Sequence, residues 1–167
     1  NEKIFGFKII KPKPLIRNNK IISSTFIRKL LETGKLNEAN KFLKRNWSIE
    51  GFVEYGKQLG KKIGFPTCNI DINDYVIAMP GVYAVKIYQK NKKSNLKGIA
   101  NLGYRPTFKQ KKILLEVHIF NFSGNLYNKH LSVEFVKFIR KEKKFKNVDQ
   151  LRRQIRLDLK TAKKTLI

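Results

Sequence analysis

The sequence has few of the residues that build disulfides or zinc clusters. Only Cys68 is a cysteine, and the 167 residues include two histidines. A single cysteine excludes a disulfide within the chain, and one thiol with two histidines gives no cluster at zinc-ligand spacing. We therefore do not expect a structural zinc site.

Long apolar runs are missing too. No stretch reaches the roughly 18 apolar residues that cross a bilayer, and Asn1–Lys3 does not have the layout of a signal peptide. Hydrophobic residues make up 41% and charged residues 29%, which fits a globular chain better than extended disorder. The missing initiator methionine suggests a fragment. We expect a cytoplasmic protein with one complete domain and an appendage.

Acidic residues are scarce. The chain has 12 Asp+Glu against 37 Lys+Arg, a formal net charge of +25. This excess favours polyanions such as nucleic acid or ATP. Because the lysines are spread through predicted loops and strand faces, we interpret the charge mainly as compositional bias. A basic β-barrel that binds RNA or single-stranded DNA is the alternative, since aromatic residues are abundant.

The first part of the chain predicts a helical hairpin. An extended stretch at Lys3–Ile10 is closed by a Lys-Pro-Lys-Pro run. Apolar residues then recur at helical spacing over Ser24–Glu32, with hydroxyl side chains before them and Gly34 as a stop signal. Asn37 is expected to cap a second short helix.

The pattern after Trp47 predicts strands. Five segments of strand-like composition are separated by Gly, Pro, Asn and Ser: Ile49–Tyr55, Val82–Gln89, Lys97–Leu102, Ile113–Phe122 and Leu131–Arg140. Without helices between them, they predict an antiparallel barrel or sandwich. A final helix is expected, with Asp149 as its cap and an apolar stripe at every fourth residue.

The segment Gly56–Gly64, here called the flap segment, contains three glycines and three lysines. Glycine lets a backbone approach a phosphate closely, and lysine adds positive charge. It is not a Walker A loop, because Lys61 is followed by a second lysine where Ser or Thr is required. From these residues alone, a phosphate-binding flap and an exposed basic turn both remain open.

Two oxygen-bearing side chains follow Pro66. Thr67 and Asn69 lie on the same side of an extended chain, because side chains alternate with period two. Oxygen ligands are what Mg²⁺ accepts. A Pro-Thr turn whose side chains bond to nearby backbone is the alternative.

Glu116 lies within a predicted strand that separates into two faces. Leu115, Val117 and Ile119 form the apolar face, while Glu116 and His118 share the other. A mid-strand carboxylate in so cationic a protein is a candidate general base. A solvent-facing glutamate paired with a lysine is the alternative, and His118 is typical of a packed or solvent-facing residue.

Five motifs in order resemble the riboflavin kinase family, in particular the kinase half of bacterial bifunctional riboflavin kinase/FAD synthetases. They are GKQLGKKIGFPTCNI, MPGVYAV, GIANLGYRPTF, LEVHIFNFSGNLY and FIRKEKKF. Upstream, Ile22–Arg28 resembles the closing motif of the nucleotidyltransferase domain, but the H-x-G-H motif of such domains is absent. The resemblance implies that residues 1–45 are the end of an FMN adenylyltransferase domain and that residues 46–167 form a riboflavin kinase domain.

The resemblance implies a mostly β fold, a six-stranded antiparallel barrel with a C-terminal helix after a short helical remnant. The implied reaction transfers phosphate from ATP to the riboflavin 5′-hydroxyl, giving FMN and ADP. Glu116 is then the base, and Thr67 and Asn69 hold Mg²⁺. The residues expected near nucleotide or flavin are Gly60, Lys61, Gly64, Pro66, Tyr127, Arg140 and Phe145. The implied partners are the small molecules ATP and riboflavin, with neither membrane nor nucleic acid.

Some positions differ from the usual family pattern. Cys68 replaces an alanine, Asn121 stands where aspartate is common, and Asn128 stands where glycine is common. Leu43–Trp47 replaces a more typical L-G-R-P-Y. None of these changes removes a residue that the resemblance implies for catalysis.

Overall fold

The computed structural model describes residues 5–6, 8, 10–17, 19–56, 58–72, 75, 78–89, 95–106 and 111–167. At 105, 106, 111 and 112 only the backbone is described. The extended stretch predicted at Lys3–Ile10 lies mostly outside the described residues.

The described chain begins with a small hairpin and a capped helix. Strands β1 (Ile16–Arg17) and β2 (Lys20–Ile21) pair antiparallel. Helix α1 (Ser24–Glu32) starts where the Ser23 hydroxyl accepts a bond from the Phe26 backbone N–H. It ends before Gly34, whose φ of +76° is in the left-handed region that glycine favours. The prediction for this helix is confirmed.

Helix α2 (Leu36–Leu43) begins two residues earlier than expected. Asn37 lies inside it, and the cap position is Lys35, which makes no side-chain cap bond. The prediction of an Asn37 cap is therefore wrong. Leu36 is buried, so packing against the rest of the protein sets the start of this helix more strongly than capping chemistry does.

Six further strands close into a barrel in the order β3-β4-β7-β6-β5-β8, and every neighbouring pair is antiparallel. The strands are β3 (Trp47–Glu54), β4 (Cys68–Asp71), β5 (Gly81–Gln89), β6 (Asn95–Pro106), β7 (Lys111–Ile119) and β8 (His130–Lys141). A short helix, α3 (Leu59–Lys62), lies in the flap segment. The barrel confirms the six-stranded antiparallel fold implied by the resemblance.

Alternating side chains fill the barrel. Tyr83 and Phe135 are fully buried, and their rings meet edge to face with centroids 5.0 Å apart. The helical hairpin shares this core: Asn40 donates to the Phe135 carbonyl at 2.9 Å and accepts from the Trp47 N–H at 2.8 Å. The domain boundary after residue 45 stays a prediction.

Helix α4 (Val148–Thr165) packs on the outside of the barrel. Asn147 caps it by accepting a bond from the Gln150 N–H at 2.9 Å, so the predicted Asp149 cap is wrong. Asp149 lies in the first turn instead, where its charge suits the helix dipole. Among the described helices, none is both long and apolar enough to cross a membrane.

Candidate active site

A row of polar side chains runs across four adjacent strands on the outside of the barrel. The strand register places Glu54 opposite Asn69, Asn69 opposite Glu116, and Glu116 opposite Asn101. Directly paired residues in antiparallel strands present their side chains on the same face. Glu116 therefore lies between two amide side chains, in the middle of the row.

The two faces of β7 separate as predicted. Leu115 and Val117 are buried in the barrel core, whereas Glu116 is only partly buried on the opposite face. Because the polar row lies on the outer face, the Glu116 carboxylate can contact a ligand there while the apolar core inside the barrel stays intact. The strand thus holds Glu116 on a rigid part of the fold.

A cavity of about 240 Å³, here called the Glu116 cavity, opens over this row. Its lining includes four of the predicted site residues, Thr67, Asn69, Glu116 and Tyr127. The barrel therefore gathers into one cavity residues from β4, from the position just before β4, from β7 and from the connection after β7. Two further carboxylates, from Glu54 and Glu142, also line it.

The flap segment is folded against the start of β4. The Phe65 N–H donates to the Gly60 carbonyl at 2.8 Å, which closes the turn after α3. A Cβ atom on Gly60 would lie 2.4 Å from the Phe65 carbonyl oxygen and 3.1 Å from the Thr67 hydroxyl oxygen. Glycine at this position is therefore required for the flap segment to approach Thr67.

A second cavity of about 360 Å³, here called the Lys61 cavity, lies beside the flap segment. Lys61, Pro66, Thr67 and Tyr127 line it. Thr67 and Tyr127 also line the Glu116 cavity, so the two cavities adjoin at these residues. Gly60 and Gly64, which were also expected near the nucleotide, support the backbone and are not among the lining residues.

The oxygen donors near Glu116 fit a hard cation. The side-chain oxygen Oδ1 of Asn69 is buried and has no hydrogen-bond partner among the described residues. A buried polar oxygen is costly without a partner, and Mg²⁺ accepts such oxygens together with water and phosphate. The described residues contain no cluster of three His, Cys, Asp or Glu that could hold a metal alone. A cation here would need substrate phosphates to complete its shell.

Arg140 and Phe145 contact each other near the end of β8, and Arg140 is paired with Asp158 of α4. The Arg140 guanidinium donates to both carboxylate oxygens of Asp158 at 2.8–3.0 Å and to the Lys141 carbonyl at 2.9 Å. It also lies over the Phe145 ring, 5.8 Å from the centroid. Neither residue is among those that line the cavities. Their expected contact with flavin stays a prediction.

Several lining residues were missed by the sequence analysis. Gln58 lines both cavities and donates to the Tyr127 hydroxyl at 3.4 Å, and Tyr127 stacks on Tyr55 with ring centroids 3.9 Å apart. Glu54 is the last residue of β3, and Glu142 directly follows β8. Because the chain has only 12 acidic residues, each of these carboxylates could have been considered as a site candidate from the sequence. Asn101, paired with Glu116 through the register, had no such signal.

The asparagines that differ from the family pattern occupy left-handed backbone. Asn121 has a φ of +50° and Asn128 a φ of +58°. Asparagine tolerates this region better than most residues, so Asn128 can occupy a position where glycine is common. Its N–H still donates to the Val53 carbonyl at 3.0 Å, which ties the turn after Tyr127 to β3.

Cys68 is expected to be chemically inert in the folded protein. Its thiol donates to the Val117 carbonyl at 3.5 Å, and burial raises its pKa to about 11. At pH 8 about one thiol in a thousand is then ionised, and only the thiolate reacts with iodoacetamide. Mass spectrometry after alkylation should show slow labelling of the native protein and fast labelling in denaturant. Equal rates in the two states would contradict this picture of a protected thiol.

A carboxylate, two side-chain oxygens and a basic flap segment lie around two adjoining cavities, an arrangement typical of a phosphotransferase. The riboflavin kinase family model, described as flavokinase, matches residues 43–166. The chain belongs to the riboflavin kinase family.

Two relatives show how much of a longer protein this chain covers. A bifunctional riboflavin kinase/FMN adenylyltransferase from Haemophilus influenzae is 42% identical over 161 residues, covering 96% of this chain and 52% of the relative. The protein of the same name from Buchnera aphidicola subsp. Schizaphis graminum is 43% identical over 163 residues, with the same coverage of 96% and 52%. The chain spans about half the length of these curated relatives.

Solved structures agree on the fold. One described as a macrolide-efflux protein from Streptococcus pneumoniae matches with a TM-score of 0.80 and 30% identity, covering 94% of this chain and 51% of that one. Riboflavin kinase from Trypanosoma brucei matches with a TM-score of 0.51 and 19% identity, covering 71% and 78% of the two chains. The second similarity is evidence for the fold alone.

Proposed function

We propose that this chain transfers the terminal phosphate of ATP to the 5′-hydroxyl of riboflavin, producing FMN and ADP. The observation that carries the proposal is the position of Glu116, mid-strand between Asn69 and Asn101 and in a cavity that adjoins a second one at Thr67. Membership of the riboflavin kinase family supplies the substrates that this geometry suits.

The two cavities suit the two substrates. The Lys61 cavity lies beside the basic flap segment, and Val117, Ile119 and Phe122 give it an apolar wall that a purine base can contact. We assign ATP to this cavity. Riboflavin then presents the 5′-hydroxyl of its ribityl chain to Glu116, so that the two substrates meet near Thr67.

The reaction is a direct in-line transfer. Glu116 accepts the proton of the 5′-hydroxyl as that oxygen forms a bond to the γ-phosphorus of ATP. The bond from this phosphorus to the bridging oxygen breaks at the same time, and the electron pair leaves with ADP. Lys61 offsets negative charge on the nucleotide. When bound, Mg²⁺ held by Thr67 and Asn69 supplies further charge neutralisation on the phosphates.

The longer relatives suggest what the whole protein does. Because they are bifunctional and about twice the length of this chain, we propose that the whole protein also adenylylates FMN to FAD. Residues 1–45 are then the end of that adenylyltransferase domain, and the protein is cytoplasmic. Its partners are the small molecules ATP and riboflavin.

The purified chain should convert riboflavin to FMN and should not produce FAD. The test incubates it with riboflavin, ATP and Mg²⁺ and separates the flavins by chromatography with fluorescence detection. Chelation of the metal with EDTA should stop the reaction, and excess Mg²⁺ should restore it, because the protein offers too few ligands to hold the metal alone.

Unchanged riboflavin would contradict the proposed function. In that case the net charge of +25 makes nucleic acid the next ligand to test. Binding to single-stranded RNA that is tight at physiological salt and weakens steeply as salt rises would favour the alternative of a basic nucleic-acid-binding barrel.

A further inference from the structure

His118 makes a contact that the proposed chemistry does not use. It follows Glu116 by two positions on β7, so both side chains are on the outer face of the barrel. Its ring nitrogen Nδ1 lies 2.7 Å from the Pro66 carbonyl oxygen, and its ring meets Phe65 edge to face with centroids 6.0 Å apart. His118 is not among the residues that line the two cavities.

This contact starts where backbone pairing stops. The ladder between β4 and β7 ends at the pair Cys68 and Val117, and His118 is the next residue of β7. Proline has no backbone N–H, so the carbonyl of Pro66 is its only backbone hydrogen-bonding group. The hydrogen bond from His118 therefore ties Pro66, the residue immediately before Thr67, to β7 beyond the end of the backbone ladder.

Phe65 connects the bond between His118 and Pro66 to the flap segment. Phe65, which packs against His118, is bonded through its N–H to the Gly60 carbonyl at 2.8 Å. Gly60 in turn lies so close to Thr67 that a Cβ atom would be 3.1 Å from the Thr67 hydroxyl oxygen. A displacement of Pro66 would therefore move Thr67 and the base of the flap segment together.

We propose that His118 is a positioning residue for the use of MgATP. A carbonyl oxygen only accepts hydrogen bonds, so His118 carries a proton on Nδ1 and donates it to Pro66. This bond holds Thr67 and the flap segment against β7 in the arrangement that binds the phosphates. The inference rests on the proposed riboflavin kinase function, because it assigns a role within that reaction.

The first test compares variants with and without the donor. His118→Phe and His118→Leu remove it, and each should raise the KM for MgATP by about two- to tenfold, the range for one lost hydrogen bond. The KM for riboflavin should stay within about twofold of the wild-type value. His118→Asn places an amide N–H close to the former Nδ1 and should recover most of the affinity for MgATP.

His130 provides the matched control. It is also a partly buried histidine on the barrel, it packs edge to face on Phe52 with centroids 5.0 Å apart, and it lines neither cavity. His130→Phe should leave both KM values unchanged. The proposal is overturned if the donor-free and Asn variants of His118 behave alike, or if both KM values rise together.

A second measurement needs no activity. Hydrogen exchange of the Phe65 amide, which bonds to Gly60, should be faster in His118→Phe and His118→Leu than in the wild type or His118→Asn. Equal exchange in all of them would also overturn the proposal. If the wild-type chain produces no FMN, the proposed function fails, and the exchange comparison still decides whether His118 fixes the flap segment.

Discussion

Glu116→Gln is expected to lower kcat for FMN formation by about 10²–10⁴-fold, the usual loss when a general base is removed. The amide of glutamine is nearly the same size as the carboxylate but does not accept a proton at neutral pH. Riboflavin binding should be nearly unchanged, because the substitution preserves the shape and polarity of the Glu116 cavity. Steady-state kinetics, together with riboflavin binding measured by flavin fluorescence, provide the test.

The geometry explains why the loss should be large. The register fixes Glu116 between Asn69 and Asn101 in the middle of a barrel, so no small shift of the backbone brings another carboxylate to the same place. Glu54 lies at the end of β3, and Glu142 lies beyond the end of β8. Both carboxylates line the cavity, but neither occupies the mid-strand position of Glu116.

Comparison variants make the result specific to Glu116. Glu50→Gln changes an exposed glutamate of β3 outside both cavities and should have normal turnover. Glu54→Gln and Glu142→Gln test the other carboxylates of the Glu116 cavity and should each reduce turnover much less than Glu116→Gln. Normal turnover in Glu116→Gln would remove this residue from the role of base, and a larger loss at Glu54 or Glu142 would transfer the role there.

The candidate site was only partly predictable from the sequence. Alternation along β7 is a local property with period two, so the outward position of Glu116 could be predicted from the strand alone. The pairing of Asn101 with Glu116 depends on the register between two strands, which side-chain alternation does not encode. The resemblance to the family identified Thr67 and Asn69, whereas their residue pattern also fitted a turn.

The fold differed from expectation where local and tertiary preferences compete. Strand β4 has four residues, of which only Ile70 is fully buried, so it has too little pattern to be recognised without its neighbours. The caps expected at Asn37 and Asp149 are each within two residues of the observed cap positions. Helix ends depend on which apolar side chains reach the core, and several nearby polar residues can satisfy the same cap chemistry.

Asp158→Ala is expected to reduce the free energy of unfolding by about 3–5 kcal/mol, the usual cost of removing one partner from a buried ion pair. Asp158 is the one charged residue that is fully buried among the described residues, with 2% of its surface exposed. It accepts bonds from Arg140 at 2.8–3.0 Å and from Gln154 at 2.9 Å. Its loss leaves the Arg140 guanidinium, which is mostly buried, without its counter-charge. Urea unfolding followed by circular dichroism measures the change.

Asp149 provides the matched control for this prediction. It lies on the same helix, but its side chain is 77% exposed and its oxygen is 3.8 Å from Arg152. An exposed pair of this kind contributes little, so Asp149→Ala should cost about 0.2–1 kcal/mol. A cost for Asp158→Ala no larger than that for Asp149→Ala would show that Arg140 finds other partners.

A double substitution separates the value of the ion pair from the cost of breaking it. Arg140→Met combined with Asp158→Leu removes both charges and keeps apolar volume between β8 and α4. If the stability lost in Asp158→Ala comes mainly from the unpaired guanidinium, the double variant should be more stable than the single one. If the double variant is equally unstable, the pair itself holds α4 on the barrel, because apolar packing then does not replace it.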